Sequence, residues 1–337
     1  MINTNFSQPI LEIENLSVTI KPKHSQEVKI IDQISFSINT GERVAIVGES
    51  GSGKSVTAMT IMNLLEDAEY QGEIKFEGND LLTKSERELR EIRGNQIAMT
   101  FQDSLSTLNP IMKIGDQITE VLTIRGVKKS HAKAKALDLL SELGFDNPST
   151  AFVKYPHQFS GGMRQRVMIA IALVAEPQIL IADEPTTALD VRIQAQVISL
   201  INKMAKKKNL AVIFISHDMG VVAGFADRVI VMYSGQILEQ GTAEEIFYQS
   251  RHPYTRALLN SIPTVNRDPS TSLPTIKGTT PEPNNRPMGC VFQDRCSQVQ
   301  DKCRIDSPKL IETSNTHQYA CYFPILPSMM ILKMFQG

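Results

Sequence analysis

The chain lacks an excess of charge, a long apolar run and a recognisable leader, and each absence excludes a class of protein. Its formal net charge is -1 over 337 residues, which argues against binding nucleic acid through bulk positive charge. The longest apolar run, Val167 to Ala175, falls well short of the ~20 residues of a membrane-spanning helix and predicts a buried helix. Residues 1–5 show no basic region followed by an apolar core, so we expect a chain that stays in the cytosol.

Cysteine is absent until near the end of the chain. The four cysteines are separated by five, six and seventeen residues: Cys290, Cys296, Cys303 and Cys321. Four scattered buried thiols are one interpretation, and a reducing cytosol disfavours disulfides. The clustering favours a metal site instead. Four thiolates suit Zn²⁺ or an iron–sulfur cluster, and the spacing does not choose between them, although the close cysteine pairs typical of zinc sites are absent.

A glycine-rich segment lies between an apolar run, Arg43–Val47, that predicts a short buried strand, and Val56–Leu65, which predicts a helix. That context is typical of a phosphate-binding loop. The glycines let backbone N–H groups surround phosphate oxygens, and the helix N-terminus adds partial positive charge. Lys54 would reach the β- and γ-phosphates, and Ser55 would hold Mg²⁺. The expected nucleotide-binding residues here are Gly48, Glu49, Ser50, Gly51, Ser52, Gly53, Lys54, Ser55 and Val56.

A second apolar run, Ile179–Asp183, ends in an acid and is followed by Glu184. Such a run predicts a parallel strand buried on both faces, with its carboxylates at the sheet edge where we expect the phosphate loop. An isolated strand end would explain the two acids as well. Together with the loop, they indicate that Asp183 binds Mg²⁺ and that Glu184 polarises the attacking water.

A third motif, Phe159–Gln165, opens an apolar helix. Ser160, Gly161 and Gly162 at a helix start would form another anion-binding nest, although Ser160 could be a plain helix cap. One active site does not need two such nests. We therefore expect this one to serve a nucleotide held by another chain.

The order of these motifs resembles that of the ATP-binding cassette (ABC) ATPases over roughly residues 10–260. The resemblance adds a glutamine loop at Gln102, an aspartate loop at Asp190 and a switch histidine, His217. It implies an α/β fold of the P-loop NTPase type, with a RecA-like core, an antiparallel β subdomain and a helical subdomain. It also implies that Gln102 senses Mg²⁺ and water and couples to a membrane partner. His217 would contact the γ-phosphate, and Asp190 would organise a dimer seam.

The residues within several motifs are similar to those of the oligopeptide/dipeptide permease subfamily. The similarity covers Phe101–Pro110, Tyr155–Met163, Ala182–Val191 and His252–Leu259. The tail around Gly289–Phe292 and the other three cysteines resembles the subfamily's C-terminal extension, where some members hold a [4Fe–4S] cluster. The resemblance therefore favours iron–sulfur over zinc at Cys290, Cys296, Cys303 and Cys321.

The composition changes after about residue 261, because six prolines fall between Ile262 and Pro287. Proline resists helix and central strand, so this segment predicts a linker. We expect a nucleotide-binding domain at 1–260 with a helical insert at about 103–157, a proline-rich linker at 261–288 and a small cysteine-containing extension at 289–337.

Taken together, the motifs predict an ATP-hydrolysing subunit of a peptide-type importer. Two cassettes, expected as a heterodimer, would sandwich ATP and Mg²⁺ head to tail. The implied partners are two transmembrane permease subunits and an extracytoplasmic solute-binding protein, with no nucleic acid, and the implied location is peripheral, on the cytoplasmic face of the cell membrane. A nickel or metal-chelate importer of the same subfamily stays open as the alternative, and a soluble non-transport ABC ATPase is disfavoured because the chain carries one cassette.

Overall fold

The computed structural model describes residues 8–21, 26–101, 107–187, 189–262, 274–314 and 316–326. The strands are β1 (Leu11–Ile20), β2 (Val28–Ile38), β3 (Arg43–Val47), β4 (Ala68–Phe76), β5 (Asn79–Asp80), β6 (Ile97–Thr100), β7 (Ile179–Asp183), β8 (Ala211–Ser216), β9 (Arg228–Tyr233), β10 (Gln236–Thr242), β11 (Ile311–Glu312) and β12 (Gln318–Tyr319). The α-helices are α1 (Lys54–Ile61), α2 (Glu86–Ile92), α3 (Ile114–Thr123), α4 (Lys129–Glu142), α5 (Pro148–Phe152), α6 (Gly161–Leu173), α7 (Val191–Lys208), α8 (Met219–Ala223), α9 (Ala243–Gln249), α10 (Pro253–Asn260) and α11 (Asp301–Ile305).

The chain divides into two compact units. Unit 1 comprises residues 1–39, 43–83 and 216–337, and unit 2 comprises residues 40–42 and 84–215. The first sheet of unit 1 is antiparallel, with strand order β2-β1-β4-β5. Its inner face buries alternate aliphatic side chains, among them Leu11, Ile13 and Ile34. This is the antiparallel edge sheet that the alternation in β1 and β2 predicts.

A second group of strands in unit 1 holds the phosphate loop and the tail. In it β3 pairs in parallel with β9, while β9, β10, β12 and β11 pair antiparallel in that order. The apolar runs 227–233 and 236–240, separated by Ser234 and Gly235, predict a hairpin. The hairpin is present as β9 and β10, and the turn residues Ser234 and Gly235 have φ of 45° and 77°. Positive φ at both turn positions matches the right-handed twist of the two strands.

Unit 2 contains a parallel sheet and most of the helices. Its strands lie in the order β8-β7-β6, all parallel. Every residue of β7 and β8 is buried, as their continuous apolar sequences predict. Helices α3 to α6 follow β6 along the chain and pack on one another through residues such as Ile118, Leu140 and Val167.

Along the described ranges, we find no helix with the length and apolarity needed to cross a membrane. The tail beyond the prolines is attached to unit 1 by backbone pairing, because β12 is hydrogen-bonded to β10. It also buries Val291, Phe292 and Tyr319, which are 4%, 2% and 7% exposed. The tail therefore contributes to the core of unit 1.

Candidate functional site

The glycines of the phosphate loop have the backbone conformation that the sequence predicts. Gly48 has φ 152°, and a Cβ there would lie 2.1 Å from the carbonyl oxygen of Met232. Gly53 has φ 100°, is the N-cap of α1, and would place a Cβ 2.6 Å from Ile31. Close neighbours exclude a side chain at both positions, so the loop needs glycine at each of them.

Lys54 is the first residue of α1 and is 5% exposed. Its ammonium group donates to the carbonyl oxygens of Gly48 and Glu49, at 2.8 and 2.9 Å, and to the hydroxyl of Ser52 at 3.3 Å. These acceptors hold the positive charge within the loop. The ammonium group of Lys54 is therefore positioned to bind phosphate oxygens, which can replace the carbonyl oxygens as acceptors.

The other loop residues differ in exposure. Ser52 is buried, and its carbonyl accepts the N–H of Gly235 at 2.9 Å. Ser50 and Gly51 are exposed, whereas Glu49, Ser55 and Val56 are half-buried. The loop thus presents one face to its own unit and leaves another open to a ligand.

In unit 2, β7 ends at Asp183, which is 5% exposed, and Glu184 follows directly. Glu184 has φ 44°, a left-handed conformation that is uncommon for a side chain of this size. Its N–H donates to the carbonyl of Ile215 at 3.0 Å, and its carboxylate accepts from the hydroxyl of Thr187 at 2.8 Å. These contacts hold the carboxylate just beyond the strand, and strain of this kind is common at functional sites.

The switch position lies in unit 1. His217 is exposed and follows β8 directly. The next residue, Asp218, caps α8 by accepting the N–H of Gly220 at 2.8 Å, which fixes the backbone on one side of His217. Gln102, the predicted glutamine-loop residue, lies outside the described residues, as does Ala188 in the aspartate loop.

The third predicted motif, Phe159–Gln165, contains the start of α6 in unit 2. Ser160 is the N-cap of α6, and its hydroxyl accepts the N–H of Met163 at 3.4 Å. Ser160 therefore caps the helix. Gly161 is half-buried and has ordinary space around it, with a Cβ there 3.5 Å from Leu189. Gly162 is different, because a Cβ would lie 2.4 Å from Cγ2 of Ile193 on α7. Gly162 therefore allows α6 and α7 to pack closely, a role that the sequence did not indicate.

Asp190 has a local structural role in addition to the predicted one. It is the N-cap of α7, and its carboxylate accepts the N–H of Ile193 at 3.0 Å. The side chain is exposed, so capping leaves it accessible from outside the chain.

The four cysteines line a single small cavity in unit 1, with a volume of about 10 Å³. They are free thiols, and the lining also includes His252, Phe292 and Tyr322. The N–H of Cys290 donates to the carbonyl of Cys303 at 2.8 Å, which ties two of the cysteine segments together. Among the described residues, no three or more His, Cys, Asp or Glu side chains are arranged so that they could hold a metal ion.

Burial disfavours the ionised form of three of these thiols. It raises the pKa of Cys290 to about 11, raises the pKa of Cys321 to about 12, and shifts the pKa of Cys296 upward as well. Neutral thiols are poor ligands, since metals bind the thiolate. Four cysteines around one cavity fit the donor chemistry of a metal site, whereas the arrangement of their side chains in this structure does not form a metal-binding group.

One functional contact was not predicted from the sequence. The carboxylate of Glu49, in the phosphate loop, is paired with the guanidinium of Arg295, which precedes Cys296. The two residues are 246 positions apart. The tail is distant from the nucleotide motifs along the sequence, and the fold brings Arg295 of the tail onto the phosphate loop. The sequence offered one signal for this contact, which is that the charged residue Arg295 directly precedes the predicted metal ligand Cys296.

Two family models match the chain. One is described as ABC transporter and matches residues 31–187. The other is described as the oligopeptide/dipeptide transporter C-terminal region and matches residues 238–303. The second match includes three of the four cysteines. The tail therefore resembles the oligopeptide/dipeptide transporters, and the cassette resembles ABC transporters in general.

Similar proteins match over nearly the whole chain. The oligopeptide transport ATP-binding protein OppD of Bacillus subtilis (strain 168) is 48% identical over 312 residues, covering 91% of this chain and 87% of that protein. The dipeptide transport ATP-binding protein DppD of Escherichia coli (strain K12) is 43% identical over 322 residues, covering 94% and 97%.

Among solved structures, the dimeric structure of MJ0796, a bacterial ABC transporter cassette, is 27% identical with a TM-score of 0.62, covering 69% of this chain and 98% of that one. This likeness confirms the predicted α/β cassette fold. With the phosphate loop, the buried strand ending in two acids and the tail all in place, the chain belongs to the ATP-hydrolysing subunits of ABC transporters, in the oligopeptide/dipeptide group.

Proposed function

We propose that this ATPase powers the uptake of dipeptides or oligopeptides through a membrane permease. The observation that carries the proposal is the identity of 43% to 48%, across both cassette and tail, with proteins named for that transport. The tail supports it separately, because it matches the C-terminal region of the same group. Solute choice belongs to other chains, so the proposal concerns the complex in which this subunit works.

Each site residue has a proposed role in ATP hydrolysis. Lys54 and the loop N–H groups bind the β- and γ-phosphates, and Ser55 with Asp183 holds Mg²⁺. Glu184 polarises the attacking water, and its contact with Thr187 orients the carboxylate. His217 contacts the γ-phosphate. Gln102 links Mg²⁺ and water to the permease.

We further propose a head-to-tail dimer of cassettes, expected as a heterodimer. The N-terminus of α6, formed by the exposed Ser160 and the half-buried Gly161, would bind the γ-phosphate of a nucleotide held by the partner. Asp190, exposed at the start of α7, would contribute to the dimer seam. A complex carrying Ser160→Arg should lose hydrolysis at the partner's loop while its own loop still binds ATP. An isolated monomer that hydrolyses ATP as fast as the complex would contradict this arrangement.

The proposed partners are two transmembrane permease subunits and, through the complex, an extracytoplasmic solute-binding protein. The chain would lie peripherally on the cytoplasmic face of the membrane. The predicted helical insert at about 103–157 is the segment proposed to face the permease, and the segment at 261–288 is proposed as the linker between cassette and extension.

For the tail we propose a [4Fe–4S] cluster bound by Cys290, Cys296, Cys303 and Cys321, with Zn²⁺ as the alternative. The support is that all four cysteines line one cavity. A bound cluster would supply cross-linking between tail segments, and the four thiols would lose their protons on binding. Anaerobically purified protein should contain about four irons and four sulfides per chain. Stoichiometric zinc without iron would shift the assignment, and four freely alkylated thiols without metal would defeat it.

The transport proposal is tested with the complete complex in proteoliposomes. ATP hydrolysis should rise when the solute-binding protein is added with short peptides, and labelled peptide should accumulate. The matched control is a complex carrying Lys54→Ala, which should not bind ATP. Stimulation by a nickel chelate but by no peptide would overturn the peptide assignment in favour of a metal-chelate importer.

A further inference from the structure

The phosphate loop is held from the side of the tail. The guanidinium of Arg295 makes a two-point contact with the carboxylate of Glu49, with Nη2 to Oε1 at 3.0 Å and Nη1 to Oε2 as the second pair. The hydroxyl of Thr280, in the proline-rich segment that precedes the tail, donates to the same carboxylate at 3.1 Å. Forked pairs of this kind fix direction as well as distance.

Arg295 is itself immobilised. Its side chain is 5% exposed. Its Nε donates to the carbonyl of Lys277 at 2.9 Å, and its Nη2 donates to the carbonyl of Ile276 at 3.2 Å. Its guanidinium lies 5.7 Å from the ring centre of Tyr233. The contact with Glu49 raises the pKa of Arg295, so its charge is permanent. A buried and fully charged group with this many partners is a rigid anchor.

The anchor reaches the lysine of the loop through a single residue. The N–H of Glu49 donates to the hydroxyl of Tyr254 at 2.9 Å, and its carbonyl accepts from the ammonium of Lys54 at 2.9 Å. Tyr254 in turn packs against Phe292 of the tail, with ring centres 5.2 Å apart. Glu49 is therefore fixed at its backbone and side chain together, next to the group expected to meet the phosphates.

We infer that Arg295 is a positioning residue for ATP binding, which acts by holding Glu49 and, through it, the phosphate loop. This inference rests on the proposed role of the loop and assigns the cysteine-bearing tail a part in nucleotide affinity. The physical reason is preorganisation. A loop already held in shape loses less conformational freedom on binding, and Arg295 also offsets the negative charge of Glu49 near a polyanionic ligand.

The test is a double-mutant cycle on the full-length chain. Binding is followed with the fluorescent nucleotide mant-ATP, which suits a chain without tryptophan. We expect Arg295→Gln to weaken binding by at least about fivefold, which is the lower range of coupling between sites. In a Glu49→Gln background the same substitution should have little further effect. The matched control is Arg304→Gln, an exposed tail arginine whose nearest acid, Asp294, is 3.9 Å away.

The outcomes separate the possible explanations. An equal loss with and without Glu49 would mean that Arg295 acts by its own charge or by general folding of the tail, and would overturn the inference. Arg295→Lys keeps the charge but lacks the fork, so binding restored fully by lysine would overturn it too. Normal binding by Arg295→Gln would do the same. Failure of the unaltered chain to bind mant-ATP would instead contradict the nucleotide site, for which Lys54→Ala is the reference.

The assembled complex gives a second readout. Because Arg295 acts on binding and touches no reacting atom, its loss should raise the KM for ATP while kcat changes much less. A general defect in tail folding would be seen instead as increased proteolysis of the tail in both the Arg295→Gln and Arg295→Lys chains. A fall in kcat with unchanged KM would contradict a positioning role in binding.

Discussion

At the scale of single residues, local backbone geometry distinguishes the proposed Mg²⁺ ligand Asp183 from the proposed base Glu184. Asp183 is the last residue of a buried strand, whereas Glu184 has a left-handed backbone and a carboxylate held by Thr187. A side chain in this conformation costs of order 1–3 kcal/mol, which the surrounding hydrogen bonds offset. The sequence identified both acids, but not the conformation that directs Glu184 beyond the strand.

Removing the carboxylate charge of Glu184 should separate binding from hydrolysis. We expect Glu184→Gln to retain ATP binding and to lose turnover by ~10²-fold or more, because glutamine cannot accept a proton from water. ATP hydrolysis by the complex and mant-ATP binding by the chain are the measurements. Glu176→Gln is the control, since Glu176 forms ion pairs with Lys135 and Lys208 and has no proposed part in hydrolysis. Near-normal hydrolysis by the Glu184 variant would exclude it as the base.

Adding one methyl group at Gly162 should destabilise the protein. A Cβ there meets Ile193 at 2.4 Å, so we expect Gly162→Ala to lower the free energy of unfolding by about 1 to 3 kcal/mol. Gly161→Ala is the matched control, because a Cβ there has ordinary space and alanine favours the helix. Urea titration measures both. The penalty at Gly162 should shrink in an Ile193→Ala background, and an undiminished penalty would refute the steric explanation.

At the scale of elements, Glu239 of β10 connects three parts of unit 1. It is fully buried, and its carboxylate accepts the backbone N–H groups of Arg251 and His252 at 2.6 and 3.0 Å and contacts the ring of His317 at 2.8 Å. These bonds tie the start of α10 and the approach to β12 to the central hairpin. The sequence predicted the hairpin but gave no reason for an acid at its buried centre.

His252, in this junction, should make stability depend on pH. Burial lowers its pKa to about 4, while its Nδ1 caps α10 by accepting the N–H of Tyr254 at 3.0 Å. The pKa is lower in the folded chain than the usual 6.5, so the unfolded chain takes up the proton first on acidification. The stabilisation is therefore complete above pH 6.5 and declines as the pH falls toward 4.

The measurement is the free energy of unfolding between pH 7 and pH 4, compared with His252→Asn. Asparagine keeps a capping acceptor but does not titrate in this range. We expect the unaltered chain to lose stability over this interval by an amount on the order of 2 kcal/mol more than the variant. Parallel pH profiles for the two proteins would contradict this account.

At the scale of the whole molecule, the tail is the segment whose role changed most between sequence and structure. The prolines that precede it predict a linker, and its four cysteines predict a metal site. In the structure it pairs with β10, buries Phe292 among Tyr233 and Tyr254, and places Arg295 on the phosphate loop. The cysteine cavity and the nucleotide loop thus belong to one packed unit.

Disturbing the cysteine cavity should therefore be felt at the nucleotide loop. We expect Cys303→Ser to lower the iron content, to expose the tail to proteolysis and to weaken mant-ATP binding several-fold, because Arg295 and Phe292 lie in the segment next to the cavity. In a Glu49→Gln background the effect on binding should be smaller. Loss of iron with unchanged ATP binding would show that the cavity and the loop are independent.

The sequence by itself determined the phosphate loop, the buried strand before Glu184, the hairpin at Ser234 and the family. Glycine conformation, strand alternation and helix caps depend on residues a few positions apart, so their patterns are readable along the chain. Only the tertiary structure shows that Arg295 pairs with Glu49 and that Gly162 leaves space for the side chain of Ile193. The same holds for the hydrogen bonds of Glu239, which connect three parts of unit 1. Those contacts join segments up to 246 positions apart. They depend on which distant segments the fold brings together, and the spacing of neighbouring residues does not show this.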